Sequence, residues 1–415
     1  MTTVSSESGD LESRVVSLFS TTFGGEPDGV WQAPGRVNLI GEHTDYNRGL
    51  ALPIALPVRT FVAIRRRPDE AVRLVSEGMG ELAEFRLSDI RGGNPPSWAK
   101  FPAGVLWAFC HDELTIQGIE AAFVSSVPIA SGLSSSAAIQ CAMAIGISDL
   151  FGSKLADDDP GRRQLASMCR RGENEIALAP TGGMDQTVSL RSKAGYALYL
   201  DCRDDSIEYV RFAPETKGLV LMIVNTRVTH HNDDGQYGAR RADCIEACQH
   251  LNIPSLRNVP YSELEAALGQ LPNEQLRMRV RHVVTEIERV RQSARALRQG
   301  DYSMFGQLLA QSHRSLRDDF EVSGPELDAA VESALEAGAL GARMTGGGFG
   351  GSIIALVDSD RVDRVSATIT DRFMRSGFSL SPQFGEGRAS APAGAAGWHL
   401  PCSDGPPPDA RPAQP

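Results

Sequence analysis

No apolar run in this 415-residue chain approaches the roughly 20 residues that a transmembrane helix needs. The opening residues, MTTVSSESGDLESR, lack the basic and apolar parts of a signal peptide. We therefore expect a cytoplasmic protein without a membrane partner. The formal net charge of −11 at pH 7 argues against a surface that binds nucleic acid or anionic lipid.

Cysteine patterns typical of metal sites and disulfide frameworks are also missing. The seven cysteines are an odd number, and no two of them form a Cys-x-x-Cys pair. Cys244 and Cys248 are spaced to share a helix face, so a metal site there is an alternative. Buried free thiols are the simpler interpretation. We expect no disulfide bond and no zinc site.

Two common nucleotide-binding motifs are absent or misplaced. The P-loop pattern G-x-x-x-x-G-K-[ST] does not occur, which excludes an ordinary Walker site. Residues 346–351, GGGFGG, satisfy G-x-G-x-x-G, but that fingerprint needs a strand before the glycines and a helix after them. Here the sequence predicts a helix before them, at 325–338, and an apolar strand after them, at 352–357. A dinucleotide-binding dehydrogenase is therefore excluded, although such a run permits close approach of the backbone to another loop or ligand.

The length and the apolar periodicity predict two domains. We place them at 13–213 and 214–398, because Ala213-Pro214 separates strand-rich from helix-rich sequence. Residues 1–12 are expected to be loose, and residues 399–415 to form a disordered tail. The predicted strands are 37–40, 60–65, 72–75, 119–127, 194–200, 207–212, 219–224 and 352–357. The predicted helices are 98–112, 140–150, 165–178, 237–251, 274–299, 305–312, 325–338 and 361–374.

A polar cluster follows directly on the first predicted strand. Residues 41–46, GEHTDY, bring two carboxylates, an imidazole and a phenol to the mouth of that strand. Gly35 and Gly41 open the backbone, and such a cluster suits a small polar ligand with several hydroxyls. Arg36 enters the same strand, where its burial would be costly unless an anionic group meets it. The alternative is a solvated turn beside a structural ion pair.

A glycine followed closely by three serines marks a candidate phosphate loop at 127–138, VPIASGLSSSAA. The segment follows a predicted strand and opens a predicted helix, whose first N–H groups and dipole attract anions. Gly132 lets the backbone approach a phosphate, while the serines add donors and a candidate Mg²⁺ ligand. The alternative is that the serines only cap the helix, for which one serine would be enough.

A second acidic group lies further along the chain. Glu173 falls on the predicted helix 165–178, and Asp185 falls in residues 181–186, TGGMDQ. Phosphoryl transfer needs a metal ligand, a group beside the attacking hydroxyl and a cation near the transferring oxygens. Glu173, Asp185 and Arg36 could fill these three places, although spacing alone does not assign them.

Together these motifs resemble those of the galactokinases, in the GHMP small-molecule kinase superfamily. Residues 35–46, GRVNLIGEHTDY, match the galactokinase signature without a break. Residues 132–137, GLSSSA, resemble the superfamily's phosphate loop, and residues 345–351, TGGGFGG, resemble its third motif. The resemblance runs from about residue 13 to about residue 398. It implies an α+β fold of two domains around a cleft, an N-terminal ribosomal-protein-S5-like domain and a C-terminal ferredoxin-like α/β sandwich.

The resemblance also implies roles for particular residues. Asp185 would be the general base at the anomeric hydroxyl, with Arg36 beside it stabilising charge. The implied sugar contacts are Glu42, His43, Asp45, Gly182 and Tyr237. The implied ATP contacts are Gly132, Leu133, Ser134, Ser135 and Ser136, together with an adenine stack on Trp98, for which a core tryptophan is the alternative. The implied Mg²⁺ ligands are Glu173 and either Ser135 or Ser136.

The implied reaction is phosphorylation of the C1 hydroxyl of α-D-galactose by a monomer, with galactose and ATP as partners and Mg²⁺ as cofactor. A kinase for N-acetylgalactosamine or arabinose is one alternative. A regulator that binds sugar and ATP without turnover is another, although such regulators tend to lose active-site residues that this chain keeps. The segments TGG at 181–183 and SGP at 323–325 depart from the family's usual Cys-Gly-Ile and Ser-Cys-Pro. We expect Gly183 to loosen a strand that carries Asp185.

Overall fold

The computed structural model describes residues 7–92, 95–129, 131–179, 181–228 and 235–396. Within these ranges the chain alternates between helices and strands. The helices are α1 (Glu7–Phe23), α2 (Lys100–His111), α3 (Ser135–Leu150), α4 (Asp159–Glu175), α5 (Met184–Arg191), α6 (Gln236–His250), α7 (Leu264–Leu268), α8 (Glu274–Gln299), α9 (Tyr302–Asp318), α10 (Pro325–Glu336) and α11 (Val362–Ser376). The strands are β1 (Gly29–Asn38), β2 (Leu50–Ala51), β3 (Pro53–Arg66), β4 (Ala71–Ser76), β5 (Ala83–Arg86), β6 (Ile119–Ser125), β7 (Tyr196–Asp201), β8 (Ser206–Arg211), β9 (Leu219–Asn225), β10 (Gly341–Thr345), β11 (Ser352–Asp358), β12 (Gln383–Gly387) and β13 (Gly394–Ala395).

The largest sheet has helices on both faces. Its strand order is β13-β1-β3-β6-β4-β5, and β4 runs parallel to β6. Along β3, Phe61 and Ala63 pack against α1, whereas Val62 and Ile64 belong to the core that contains α2, α3 and α4. Successive side chains of a strand point to opposite faces, so β3 contributes to both layers.

The second sheet is antiparallel, with strand order β10-β11-β9-β12. The helices α9 and α10 pack on β10, and α8 packs on α9. The short strand β2 joins the β7–β8 hairpin in a third sheet. One buried apolar cluster extends from Val37 and Leu39 at the end of β1 to Val290 and Phe305 in the second half. The end of β1, where the polar cluster begins, is therefore packed between the two halves.

Most predicted elements are present, although many of their ends differ. Helix α8 has the predicted bounds, whereas only the first two residues of the predicted strand 37–40 lie in a strand, at the end of the longer β1. The expectation that residues 1–12 are loose is wrong from Glu7 onward, because α1 buries Leu11 and Phe19. The predicted tail, 399–415, lies outside the described residues. Across the ranges that the structure describes, a helix of membrane-spanning length and apolarity is not found.

The predicted division at Ala213-Pro214 falls between β8 and β9, which lie in different sheets. The end of the chain nevertheless returns to the first half. Strand β13 pairs with β1 in the largest sheet, and the buried Arg59 donates to the carbonyl oxygen of Ala391 at 2.6 Å. The predicted second domain, 214–398, therefore includes a segment that is built into the first half of the fold.

Candidate active site

The buried Arg36 and the partly exposed Asp185 form an ion pair at the centre of the site. Arg36 lies in β1 and Asp185 in the first turn of α5. The Arg36 Nε and Nη2 atoms donate to Asp185 Oδ1 and Oδ2, each at 2.7 Å. The arginine is only 6% exposed, and such a two-fold charge-assisted contact offsets its burial. The anionic group expected for Arg36 is thus the carboxylate of Asp185.

The backbone around Asp185 differs from the prediction. Asp185 lies in a helix, not in a strand, and Gly183 is the residue that precedes this helix. Gly183 has φ 92° and ψ 5°, a left-handed conformation that favours glycine. The expectation that Gly183 loosens a strand is therefore wrong. The positive φ at Gly183 instead allows the turn that places the start of α5 beside Arg36.

The candidate phosphate loop contacts the same pair of residues. Arg36 Nη1 donates to the carbonyl oxygen of Gly132 at 2.5 Å, and the Arg36 N–H donates to Leu133 O at 3.1 Å. Ser134 precedes α3, and its hydroxyl donates to Asp185 Oδ2 at 2.5 Å. Ser135 and Ser136 form the first turn of α3. The loop and the Arg36–Asp185 pair are consequently one hydrogen-bonded unit.

The third glycine motif packs against this phosphate loop. A methyl group added to Gly132 would lie 3.0 Å from the carbonyl oxygen of Thr345, and the Ser352 hydroxyl donates to Ser131 O at 2.7 Å. A methyl group at Gly348, which has φ 84°, would lie 2.3 Å from Val322 O. The predicted helix ends at Glu336, and strand β10 lies between it and the glycines, so the expectation that a helix directly precedes them is wrong; β11 follows them as predicted. The fingerprint needs a helix where β11 stands, so these glycines do not form one, and they serve close backbone packing instead.

Glu42 faces the third motif. Its Oε1 atom accepts from the backbone N–H of Gly346 at 2.7 Å and from the Thr345 hydroxyl at 3.2 Å. The guanidinium of Arg343, which is fully buried, lies 3.5 Å from the same oxygen. One carboxylate oxygen of this predicted sugar contact is therefore occupied in joining the two halves of the fold.

His43 is enclosed by protein groups. Its Nδ1 atom lies 2.9 Å from the Tyr46 hydroxyl, and its Nε2 atom lies 3.1 Å from the carbonyl oxygen of Gly347. Burial lowers the pKa of His43 to about 3, so the ring is neutral at pH 7. Because the carbonyl oxygen can only accept, Nε2 carries the proton and Nδ1 accepts from Tyr46. Both nitrogens of this predicted sugar contact are thus in use.

Asp45 and Gly182 are in direct contact. A methyl group at Gly182 would lie 2.2 Å from Asp45 Oδ2. Burial, followed by the charge of Asp185, raises the pKa of Asp45 to about 6. Tyr237 lies near the start of α6, with its ring 5.6 Å from that of Tyr46. The structure therefore gathers carboxylate and phenol groups beside the Arg36–Asp185 pair.

Glu173 is buried in α4, behind the start of α5. Its Oε2 atom accepts from the Thr181 hydroxyl at 2.9 Å and from Gln186 Nε2 at 2.5 Å. Burial, followed by the charge of Asp185, raises the pKa of Glu173 to about 7. The parts of the chain that the structure describes contain no group of three or more His, Cys, Asp or Glu side chains that could hold a metal. Mg²⁺ often takes only one or two protein oxygens beside phosphate and water, so one carboxylate and a serine hydroxyl fit such an ion.

Trp98 and most of the described cysteines are buried or half-buried, whereas Cys110 is exposed, so the expectation of buried thiols is wrong for that residue. Trp98 is 8% exposed, and its ring packs edge-on against Phe123 at 6.2 Å. This packing favours the core alternative over an adenine stack. Cys244 accepts a hydrogen bond from Asn47 Nδ2 at 3.5 Å, and the six cysteines among the described residues are all free. Cys402 lies outside those residues.

The sequence interpretation missed residues that hold the polar cluster from the second half. Arg343 donates through Nη1 to the carbonyl oxygens of Asn38 and Leu39, at 3.1 and 3.0 Å. Glu286 Oε1 accepts from the Gly41 N–H at 2.9 Å. A charged residue inside an apolar strand or helix pattern was the available signal, because such a residue is seldom buried without a partner. These contacts fix the end of β1.

Comparison with known proteins first defines the class. The family models for the GHMP kinases N terminal domain and the GHMP kinases C terminal region match residues 100–193 and 293–375. A mevalonate kinase crystal structure, 18% identical, matches 86% of this chain and 98% of its own with a TM-score of 0.58. At that identity the likeness shows the fold alone. The predicted α+β GHMP kinase fold is confirmed.

Further comparisons identify the family within this class. The galactokinase galactose-binding signature matches residues 17–66. A Streptomyces coelicolor galactokinase is 46% identical over 368 residues, 88% of this chain and 94% of that protein. Human galactokinase is 42% identical over 372 residues, 88% of this chain and 92% of that protein. Lactococcus lactis galactokinase complexed with galactose has a TM-score of 0.87 and 30% identity, over 93% of this chain and 100% of that chain. The chain belongs to the galactokinase family of sugar kinases.

Proposed function

We propose that this enzyme transfers the γ-phosphoryl group of ATP to the C1 hydroxyl of α-D-galactose, giving galactose 1-phosphate and ADP. The observation that carries this proposal is the doubly hydrogen-bonded Arg36–Asp185 pair, because it contacts the glycine-serine loop and interacts electrostatically with Glu42 and Asp45 of the polar cluster. A base for a sugar hydroxyl and a cradle for phosphate therefore meet at one point. The Lactococcus lactis relative was solved with galactose bound, which supports galactose as the acceptor.

Asp185 is the proposed base. As the C1 oxygen bonds to the γ-phosphorus, the bond between that phosphorus and the leaving oxygen of ADP breaks. The proton of the hydroxyl passes to the carboxylate of Asp185. Arg36 orients the carboxylate, and its charge stabilises the negative charge that develops on the transferring group.

Asp45, Gly182 and Tyr237 are the proposed sugar contacts of the pocket wall. Asp45 offers carboxylate oxygens to adjacent hydroxyls, and the absence of a side chain at Gly182 leaves room for that carboxylate. Glu42 has its Oε2 atom for the sugar, while Oε1 joins the third motif. For His43 we propose a positioning role through Tyr46 and Gly347, because both ring nitrogens are occupied.

The nucleotide phosphates are proposed to bind at the start of α3. Gly132 and Leu133 offer backbone groups, and Ser135 and Ser136 offer N–H and hydroxyl donors at the positive end of the helix dipole. Glu173 and Ser136 are the proposed residues for Mg²⁺. When bound, that ion would neutralise charge on the phosphates. The packing of Trp98 does not support its role as an adenine platform.

Three broader features are also proposals. The first is a monomer, and the second is a cytoplasmic location. The third is a division into functional domains at 13–213 and 214–398, with the sugar and phosphate loops in the first.

The test is ADP release by the purified protein with Mg-ATP and galactose, N-acetylgalactosamine, arabinose, glucose or no sugar. Turnover that strongly favours galactose is expected. Preference for another sugar would support the proposed kinase activity but show that galactose is not the main substrate. Folded protein that is silent with every sugar would favour a sugar- and ATP-binding regulator. The variant Asp185→Asn should retain its fold and lose about 10³-fold or more in kcat, and near-normal turnover would refute its assignment as the base.

A further inference from the structure

We propose that Ser134 is a positioning residue for Asp185, so that the three serines of the phosphate loop have different roles. The proposal rests on the proposed galactokinase reaction and refines it. Ser134 would hold the base in place for the sugar hydroxyl, whereas Ser135 and Ser136 would serve the nucleotide and its cation.

The backbone of Ser134 supports this division. It has φ 60° and ψ 52°, a left-handed conformation that is unfavourable for residues other than glycine, asparagine and aspartate. Ser134 occupies the capping position of α3, yet its hydroxyl makes no capping hydrogen bond. Helix capping therefore does not account for a serine here. Strain of this kind persists where the surrounding structure fixes it, often at functional sites.

The hydroxyl of Ser134 points instead to the proposed base. It donates to Asp185 Oδ2 at 2.5 Å, and the same oxygen accepts from Arg36 Nη2 at 2.7 Å. Asp185 Oδ1 accepts from Arg36 Nε alone among the described residues. An ionised carboxylate has about four acceptor positions, two on each oxygen. Ser134 and Arg36 fill both positions on Oδ2, which leaves Oδ1 to receive the proton of the sugar hydroxyl.

The contact also ties the base to the loop that is proposed to bind the nucleotide phosphates. Ser134 follows Leu133, whose carbonyl oxygen accepts from the Arg36 N–H at 3.1 Å. A methyl group at Gly35 would lie 2.8 Å from that carbonyl oxygen, so loop and strand are in close contact. Ser134 thus provides a side-chain link between the start of α3 and the start of α5. Through it, the loop sets the position of the carboxylate relative to the phosphoryl group.

The experiment compares the variants Ser134→Ala, Ser134→Gly and Ser135→Ala with the wild type. Steady-state kinetics are measured with ATP and galactose varied in turn, and galactose affinity without nucleotide is measured by calorimetry. Ser134→Ala should lower kcat by about 10- to 100-fold, the effect of losing one hydrogen bond to a charged group. Its KM for ATP should stay within about twofold of the wild-type value. Ser135→Ala should chiefly raise the KM for ATP.

The glycine variant separates the hydrogen bond from the backbone strain. Glycine accepts φ 60° without strain but has no hydroxyl, so Ser134→Gly should fold well and lose as much kcat as Ser134→Ala. Recovery of kcat in Ser134→Gly would show that strain, not donation to Asp185, explains the alanine result, and would overturn the proposal. A normal kcat with a raised KM for ATP in both Ser134 variants would also overturn the proposal, because it would place Ser134 at the nucleotide. Failure of the wild type to phosphorylate galactose would instead refute the proposed function.

Discussion

The substitution Gly182→Ala tests the proposed sugar pocket through a single methyl group. That methyl would lie 2.2 Å from Oδ2 and 2.5 Å from Cγ of Asp45, well inside van der Waals contact. Gly182 is not among the residues with positive φ, so alanine fits its backbone. The obstacle is the side chain of Asp45, whose carboxylate must rotate away and whose Cβ atom, 2.9 Å from the added methyl, must shift with its backbone.

The expected loss falls on sugar binding more than on stability. The carboxylate can move at little cost, whereas the Cβ atom of Asp45 requires a small backbone shift, so we expect a destabilisation of about 1–2 kcal/mol. A hydrogen bond from a sugar hydroxyl to a charged carboxylate contributes about 1.5–3 kcal/mol. Loss of one such contact at Asp45 should raise the Kd and KM for galactose by about 10- to 150-fold. The KM for ATP should be nearly unchanged.

Calorimetry with galactose and steady-state kinetics measure these effects. Gly385→Ala is the matched control, because a methyl group there meets no atom within 4 Å and Gly385 lies in β12, away from the site. The double variant Gly182→Ala/Asp45→Ala should bind galactose no more weakly than Asp45→Ala, since both changes remove the same contact. Wild-type galactose affinity in folded Gly182→Ala, or full additivity in the double variant, would refute the assignment of Asp45.

Three further outcomes are expected. Burial raises the pKa of Asp45 to about 6, above its ordinary 3.8, so the folded state binds the proton more tightly and loses stability as pH rises from about 4 to about 6. Asp45→Asn should therefore raise Tm at about pH 8 more than at about pH 4, and an equal shift at both would contradict this. Gly348→Ala should destabilise the fold by about 2 kcal/mol or more in urea unfolding. The added methyl would lie 2.3 Å from Val322 O, and φ at this position is 84°. Wild-type stability of the variant would contradict this expectation. Trp98→Phe should cost about 1 kcal/mol of stability and leave the KM for ATP unchanged, whereas a large rise in that KM would restore the adenine stack.

Apolar periodicity predicted the helices and strands whose buried residues repeat regularly along the element. Helix α8 has the predicted bounds, because its buried face repeats over the whole helix. Strands β10 and β12 were missed for physical reasons. The sequence of β10, GARMT, contains an arginine that is fully buried through contacts with distant carbonyl oxygens. The sequence of β12, QFGEG, is polar and glycine-rich, and it pairs along one side with β9.

The motifs that form the site could be predicted from the sequence, but the hydrogen-bond partners of their side chains could not. Local spacing indicated the phosphate loop and the polar cluster after β1. It could not show that Glu42 accepts from the N–H of Gly346, a residue 304 positions away. Nor could it show that His43 uses both ring nitrogens within the protein. Such contacts depend on how the two halves pack, and no local pattern encodes that packing.

The protein groups around each buried carboxylate distinguish a carboxylate that supports the fold from one that is proposed to bind a ligand. Burial alone would raise the pKa of Glu286, but Arg289 and neighbouring positive charges lower it to about 2. Glu286 Oε1 also accepts from the Gly41 N–H and the Ser312 hydroxyl. At Asp45 and Glu173 burial outweighs the hydrogen bonds and charges that lower the pKa, and it raises their pKa values to about 6 and about 7. A buried carboxylate without enough protein cations is stabilised when donors or a cation arrive with a ligand. The raised pKa values are what the proposed roles require, Asp45 as a contact for galactose hydroxyls and Glu173 as a residue for the nucleotide-bound cation.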